Sequence, residues 1–232
     1  MTPTPHVSEK AVQASHEAVE VVREKMNQVK PKLRGWLHTA VSPLAVAAGV
    51  VLIVLSPTLE TKVGSALFAG TAILLFTVSG IYHRGNWTKR TWEVLRRFDH
   101  ANIFLYTPFT IILLDGAAQT GLLIIVWSGA ILGVGFRILW IDAPRWLYVP
   151  IYVALGWAAI FYANDFSSAG HTVIVLIAVG GGLYTLGGLI YALKWPDPYP
   201  TWFGFHELFH VFTIGAFVCH YVAASIATYQ LR

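Results

Sequence analysis

Long apolar runs separated by short polar segments dominate the chain from residue 36 onward. A helix that crosses the hydrocarbon core of a bilayer needs about 20 predominantly apolar residues. No stretch alternates apolar and polar residues with the period that is typical of a half-buried strand. The pattern therefore predicts an all-α seven-transmembrane helix bundle with spans at approximately residues 36–56, 61–83, 100–116, 119–141, 146–163, 171–193 and 205–229.

The segment before the first run has a different pattern. Ala11, Ala14, Ala18 and Val22 recur at intervals of three or four residues with charged residues between them, which is typical of an amphipathic helix. We therefore divide the chain into an amphipathic N-terminal tail, residues 1–35, and a seven-transmembrane domain, residues 36–232.

The composition supports a membrane protein. Only 12% of the residues are charged and 56% are hydrophobic, whereas a soluble domain carries about 25% charged residues. This excludes a disordered chain, a coiled coil and an ordinary cytosolic enzyme. In a membrane protein the formal net charge of +4 does not indicate a nucleic-acid partner, because the position of each charge matters more than the sum.

The basic residues are concentrated in alternate connections. Fourteen of the 16 Lys and Arg residues lie in the tail, in the connection after the second span, or at span ends on that same side, which leaves Lys62 and Arg232. Lys and Arg prefer cytoplasmic loops. We therefore expect a multi-pass protein of the cell membrane with a cytoplasmic N-terminus and an external C-terminus. G-protein-coupled receptors have the opposite orientation, and a microbial rhodopsin would need a lysine in the last span, which has none.

Polar residues with metal-binding chemistry occur at three span ends. His206 and His210 stand at positions i and i+4 of the last span, so both lie on one helical face. Ser79 and His83 form a similar pair at the end of the second span, and Asp99 directly precedes the third. In the orientation inferred above, all three clusters lie at one depth near the cytoplasmic face.

Three imidazoles in one layer indicate a metal site. His83, His206 and His210, with water as a fourth ligand, match an open catalytic type of Zn²⁺ site. A site built from cysteines is excluded, since Cys219 is the only cysteine. The alternative is that the three histidines form hydrogen bonds between helices and hold no metal. His38, near the same interface, is not expected to form a site on its own.

The segments around these residues resemble the hemolysin III family, the bacterial branch of the progestin and adipoQ receptor proteins. The matching segments are SGIYH (79–83), RRFDHANIF (96–104) and HELFHVFTIGAFVCHY (206–221). The resemblance implies a zinc site of His83, His206 and His210, with Ser79 and Asp99 as the motif serine and aspartate. Eukaryotic relatives are described as receptors with zinc-dependent ceramidase activity, and the bacterial name reflects reported haemolysis, which identifies no reaction.

The chain departs from the family pattern in one place. A short stretch containing Ala-Gly-Thr precedes Tyr-Thr-Pro in the family, whereas Phe104-Leu105 runs directly into Tyr106-Thr107-Pro108 here. We therefore expect a shortened third span.

These observations favour a zinc-dependent hydrolase that cleaves an amide or ester bond of a membrane lipid. Asp99 would accept a hydrogen bond from water or act as general base, and Ser79 would hydrogen-bond the water or the developing oxyanion. The main alternative is a sensor or receptor-like protein with a structural zinc, to which His100 or Asp99 would add a fourth ligand.

A second alternative is an intramembrane metalloprotease, because HELFH fits the HExxH motif with Glu207 as base. Its third ligand would be Asp115, which lies sixteen residues beyond Asp99, about 24 Å along a helix. That distance argues against the protease, and Glu207 is expected to face the connecting loops.

Two further polar features have simpler explanations. His220 lies ten residues beyond His210, about 15 Å along the helix, and is expected to form buried hydrogen bonds rather than bind the same ion. Arg137 and Asp142, near the inner end of the fourth span, are expected to form a snorkelling pair.

Overall fold

The computed structural model describes residues 12, 30–106, 116–158 and 170–230. Within these residues the regular structure is helical, apart from an isolated bridge between Tyr199 and Phe203. The helices are α1 (Trp36–Leu55), α2 (Leu59–Arg84), α3 (Lys89–Tyr106), α4 (Gly116–Leu139), α5 (Arg145–Gly156), α6 (His171–Leu193) and α7 (Phe205–Gln230). Most of the predicted tail helix lies outside the described residues, as does Asp115.

Five of these helices, α1, α2, α4, α6 and α7, are long and apolar enough to cross a membrane. Their outward side chains are apolar too: Leu44, Val54 and Leu132 are each about two-thirds exposed or more. Large apolar side chains on the outside of a bundle are expected where lipid is the solvent. The chain is therefore a multi-pass membrane protein, as predicted.

Helix α3 differs most from the prediction. It begins at Lys89, so most of the predicted polar connection between Arg84 and Asp99 is helical. The Thr88 hydroxyl accepts a hydrogen bond from the Thr91 N–H at 3.3 Å, as an N-cap residue does. The first half of α3 is charged and amphipathic, which a search for apolar runs does not detect. α3 ends at Tyr106, directly after the junction of Leu105 and Tyr106 at which the chain departs from the family pattern. Residues 107–115 lie outside the described part.

Small and hydroxylated residues bring α1 and α2 together. The Ser42 and Thr77 hydroxyls are 2.6 Å apart, and those of Ser56 and Ser65 are 2.8 Å apart. A Cβ atom at Gly80 would lie 2.7 Å from the Thr39 hydroxyl oxygen. Close backbone approach and hydroxyl contacts are typical of helix pairs in membranes. This packing fixes the position of the end of α2, where His83 lies.

A short segment before α1 crosses the end of the bundle at which α2 ends and α7 begins. The N–H groups of Lys32 and Leu33 donate to the carbonyl oxygens of Thr201 and Trp202 at 3.0 and 3.1 Å. Gly35 has a φ of +80°, which glycine adopts without steric cost, and a Cβ there would lie 2.7 Å from that of His83. Residues 30–35 thus pack onto the helical domain.

The predicted pair between Arg137 and Asp142 is wrong. Asp142 instead pairs with Arg96 at 2.8 Å. Arg137 is 1% exposed and stacks over the Tyr148 ring, with its guanidinium carbon 4.2 Å from the ring centre. The reason is the early start of α3, which places Arg96 beside the connection between α4 and α5.

Candidate metal centre

Three histidines from two helices meet at one end of the bundle. His83 is the penultimate residue of α2, and His206 and His210 lie in the first two turns of α7. Each offers a nitrogen atom that lies within 4.8 Å of the other two. The ring centres of His206 and His210 are 4.6 Å apart, and that of His83 is 4.7 Å from His206. The three residues predicted from their spacing are therefore together.

The distances suit a metal ion. The Nε2 atoms of His83 and His206 are 3.2 Å apart, and two nitrogens bound to one Zn²⁺ in tetrahedral geometry lie about 3.3 Å apart. The Nδ1 atom of His210 is buried and has no hydrogen-bond partner among the described residues. Buried polar atoms usually have a hydrogen-bond partner. A cluster of three imidazoles that includes a buried nitrogen without one therefore fits a set of metal ligands. His83 and His210 are buried and His206 is partly so.

Asp99 and Ser79 extend the centre on the side of α3. A carboxylate oxygen of Asp99 lies 3.7 Å from Nε2 of His83, and the Ser79 side chain hydrogen-bonds to the same carboxylate. Ser79 is 2% exposed, so its hydroxyl is held inside the bundle one turn before His83. The carboxylate thus lies beside the three histidines without being one of the grouped ligands.

The other candidate ligands have different partners. Nδ1 of His100 lies 2.8 Å from the Arg96 carbonyl oxygen, to which it can only donate. Glu207 is completely buried; one carboxylate oxygen pairs with Arg34 and the other accepts from the Gly204 N–H at 2.8 Å. Glu207 therefore contacts the connecting segments through both carboxylate oxygens. His220 lies farther along α7, against Tyr184 with ring centres 5.5 Å apart.

Comparison with known proteins identifies relatives of this chain. A family profile described as "Haemolysin-III related" matches residues 26–221. The chain belongs to the hemolysin III family. A hemolysin-3 homolog of Bacillus subtilis (strain 168) is 30% identical over 159 residues, which are 66% of this chain and 71% of the relative. A hemolysin-3 of Bacillus cereus is 27% identical over 208 residues, 83% of this chain and 91% of the relative. The family membership inferred from three short segments is thus confirmed.

In this member of the hemolysin III family two of the three grouped histidines, His206 and His210, border an apolar cavity. It has a volume of about 310 Å³, and each of the seven described helices contributes to its lining. Ser79, Asp99, His206 and His210 reach its wall, which is otherwise mainly apolar and aromatic. The volume is at the lower end of the range for small-molecule sites, about 300–1,000 Å³. Polar groups with potential chemistry thus border a space that suits an apolar ligand.

A fourth histidine, His38 of α1, packs against the three grouped histidines. The sequence analysis did not predict this contact. Its ring stacks on that of His210 with centres 3.7 Å apart and planes 14° apart, and its edge faces Phe76. Both ring nitrogens are buried without a hydrogen-bond partner among the described residues. A lone histidine near the start of a span gave no spacing pattern that could identify it; only the packing of α1 against α7 does so. His38 therefore positions His210 from outside the ligand set.

We expect His38→Ala to lower the affinity of the centre for Zn²⁺ by about tenfold, because removing a supporting contact typically costs a metal site about 10–100-fold. His38→Phe should stay within about twofold of the unchanged protein, since an aromatic ring preserves the stacking on His210. The measurement is competition for Zn²⁺ against a fluorescent chelator. An equal loss in both variants would show that His38 acts through its nitrogens, and the stacking role would be wrong.

Proposed function

We propose that the chain is a zinc-dependent hydrolase that cleaves an amide or ester bond of a membrane lipid, in the manner of a ceramidase. The observation that carries this proposal is a group of three histidines, two of which, His206 and His210, lie with the Asp99 carboxylate on the wall of an apolar cavity between the helices. A lipid can place its acyl chain in such a cavity and its carbonyl group beside the histidines.

Each residue of the site has a separate role in this proposal. His83, His206 and His210 would hold the ion, and Zn²⁺ bound there would supply Lewis-acid activation of the carbonyl group and of water. Asp99 accepts the proton of the attacking water as general base. The Ser79 hydroxyl, which hydrogen-bonds to Asp99, orients that carboxylate. Hydrolysis needs only water: its oxygen joins the acyl carbon, the C–N or C–O bond of the amide or ester breaks, and a proton passes to the leaving nitrogen or oxygen.

Two observations favour the hydrolase over a sensor with structural zinc. A structural site usually has four protein ligands, whereas the grouped ligands among the described residues are three. His100 and Asp99, either of which could have closed the site, are not among the grouped ligands. The cavity beside the histidines also has no role in a closed structural site.

We further propose that the bundle crosses the membrane seven times with the N-terminus in the cytoplasm. The excess of basic residues at the histidine end supports this orientation, since Lys30, Arg34, Arg96 and Arg145 all lie around one pocket there. The metal centre would then lie just inside the cytoplasmic face.

The orientation can be tested with single cysteines in a Cys219→Ala background. Asn86→Cys lies in the exposed connection between α2 and α3, and Glu60→Cys is exposed at the opposite end of α2. In intact cells a membrane-impermeant maleimide should label Glu60→Cys at once and Asn86→Cys only after permeabilisation. The reverse pattern would place the N-terminus outside.

The metal assignment can be tested by elemental analysis of the purified protein. We expect about one Zn²⁺ per chain, and a loss of nearly all of it in His206→Ala/His210→Ala, because one histidine alone cannot hold the ion. His220→Ala is the matched control, since it removes another buried histidine of the same helix and should leave the zinc content unchanged. Equal zinc in the double variant and the unchanged protein would refute the site.

Turnover can be tested in nanodiscs with a panel of ceramides and phospholipids. We expect hydrolysis of at least one lipid class, its loss on chelation, and a decrease in kcat of about 100-fold or more in Asp99→Asn, the size expected for loss of a general base. Zinc content should be unchanged in this variant. If zinc is bound and no lipid is hydrolysed, the sensor function replaces the hydrolase.

A further inference from the structure

A second pocket adjoins the metal centre and shares His100, Tyr191 and His206 with the apolar cavity. It has a volume of about 330 Å³. Four of its lining residues are cationic, three are histidines, and none is Asp or Glu; the cations are Lys30, Arg34, Arg96 and Arg145. A pocket with this lining attracts an anion, because the low-dielectric wall strengthens each charge interaction.

The cations are not all neutralised by the protein. Glu207 pairs with Arg34 and Asp142 with Arg96, but Lys30 and Arg145 form no ion pair with a described carboxylate. Desolvation lowers the pKa of Lys30, and the nearby charge of Arg34 lowers it further. Two positive charges therefore remain without a counter-charge from the described part of the chain.

Arg145 is held in place by contacts that leave donors available. One guanidinium nitrogen donates to the Tyr191 carbonyl oxygen at 2.8 Å, and the guanidinium carbon lies 4.3 Å above the Tyr191 ring centre. A guanidinium group has five N–H donors, and its planar array suits the oxygens of a phosphate. The Tyr191 ring in turn lies 5.6 Å from that of His206, so one aromatic ring separates the cation from the metal centre.

The metal centre lies where the two spaces meet. His210 borders the apolar cavity, His83 borders the cationic pocket, and His206 borders both. A molecule that fills both spaces therefore passes the three histidines with an apolar portion on one side and an anionic portion on the other. In a glycerophospholipid, adjacent glycerol carbons carry the phosphate and the nearest acyl ester, so the bond to be cleaved lies between those portions.

We propose, resting on the hydrolase function above, that the cationic pocket binds the phosphate of a lipid head group, and that the substrate is an anionic glycerophospholipid rather than a neutral ceramide. Water adds to the acyl carbon, the ester C–O bond breaks, and the proton passes to the glycerol oxygen. The products are a fatty acid and a lysophospholipid, and no other reactant is needed.

The test is a binding measurement that does not depend on turnover. Purified full-length protein with its metal is titrated with two ether-linked lipids of equal chain length, which contain no ester bond: a dialkyl phosphoglycerol lipid and a neutral dialkylglycerol. We expect the anionic lipid to bind at least about tenfold more tightly, a difference equal to about 1.4 kcal/mol. Equal affinities would overturn the proposal. Inorganic phosphate at millimolar concentration should compete only weakly; if it binds while the anionic lipid shows no preference, the pocket is a site for free phosphate.

Charge variants test the pocket directly. Lys30→Gln/Arg145→Gln should abolish the preference for the anionic lipid. Lys89→Gln/Arg90→Gln is the matched control, because it removes the same charge from exposed positions at the same end of the bundle, outside the pocket, and should keep the preference within about twofold. Equal loss in both variants would indicate a diffuse surface potential and overturn the assignment. If the Arg145 substitution prevents folding, Lys30→Gln alone gives a second measurement, because Lys30 lies before α1. This variant should lower the preference for the anionic lipid at least threefold. An unchanged preference would contradict the pocket.

The binding and turnover results separate the two proposals. Selective binding of the anionic lipid, with no hydrolysis of its ester-linked counterpart, would refute the hydrolase and the substrate assignment but leave the head-group pocket. Hydrolysis of ceramide without preference for the anionic lipid would support the hydrolase and refute this inference.

Discussion

A buried ion pair between Arg34 and Glu207 joins the segment before α1 to the start of α7. Glu207 has no exposed surface, and a carboxylate in that position must be paired to remain charged. Removing one partner of a buried pair typically costs about 3–5 kcal/mol, because the other charge is left uncompensated. The pair therefore holds the segment before α1 across the start of α7. Gly35 then passes directly against His83, and Lys30 reaches the cationic pocket.

This constraint also explains why the HExxH pattern is misleading here. In a metalloprotease the glutamate of that motif must face the reacting water, whereas both oxygens of Glu207 are bound, one by Arg34 and one by the Gly204 N–H. The carboxylate beside the histidines is Asp99 from α3, and it is oriented by Ser79 from α2. The candidate base thus comes from a different helix than the histidine pair, and the start of α7 supplies both a structural ion pair and two of the three grouped histidines.

The sequence predicted most closely the helices that are long and mainly apolar. The span 171–193 coincides with α6, and the ends of α1, α2 and α7 differ from the predictions by at most two residues. The start of α3 was missed because its first half is charged. Within the site, the i and i+4 spacing indicated His206 and His210. The common depth of three span ends added His83 and Asp99. His38 could not be found in this way, since its position on His210 depends on the rotation of α1, which no spacing on a single helix reveals.

The clustering of Lys and Arg at one end of the bundle bears both on the orientation in the membrane and on the cationic pocket. A cluster of Lys and Arg at one end of a bundle favours the cytoplasmic side of a membrane, and four of these residues surround a pocket whose described lining has no carboxylate. Cations on any exposed loop at that end would be enough to set the orientation in the membrane. The orientation does not require Arg145 to stack on Tyr191, one ring from His206, or Lys30 to share a pocket with Arg34 despite the repulsion between them. Like charges gathered in a pocket are destabilising by themselves, and the anionic ligand proposed above would compensate Lys30 and Arg145, which have no ion-pair partner among the described carboxylates.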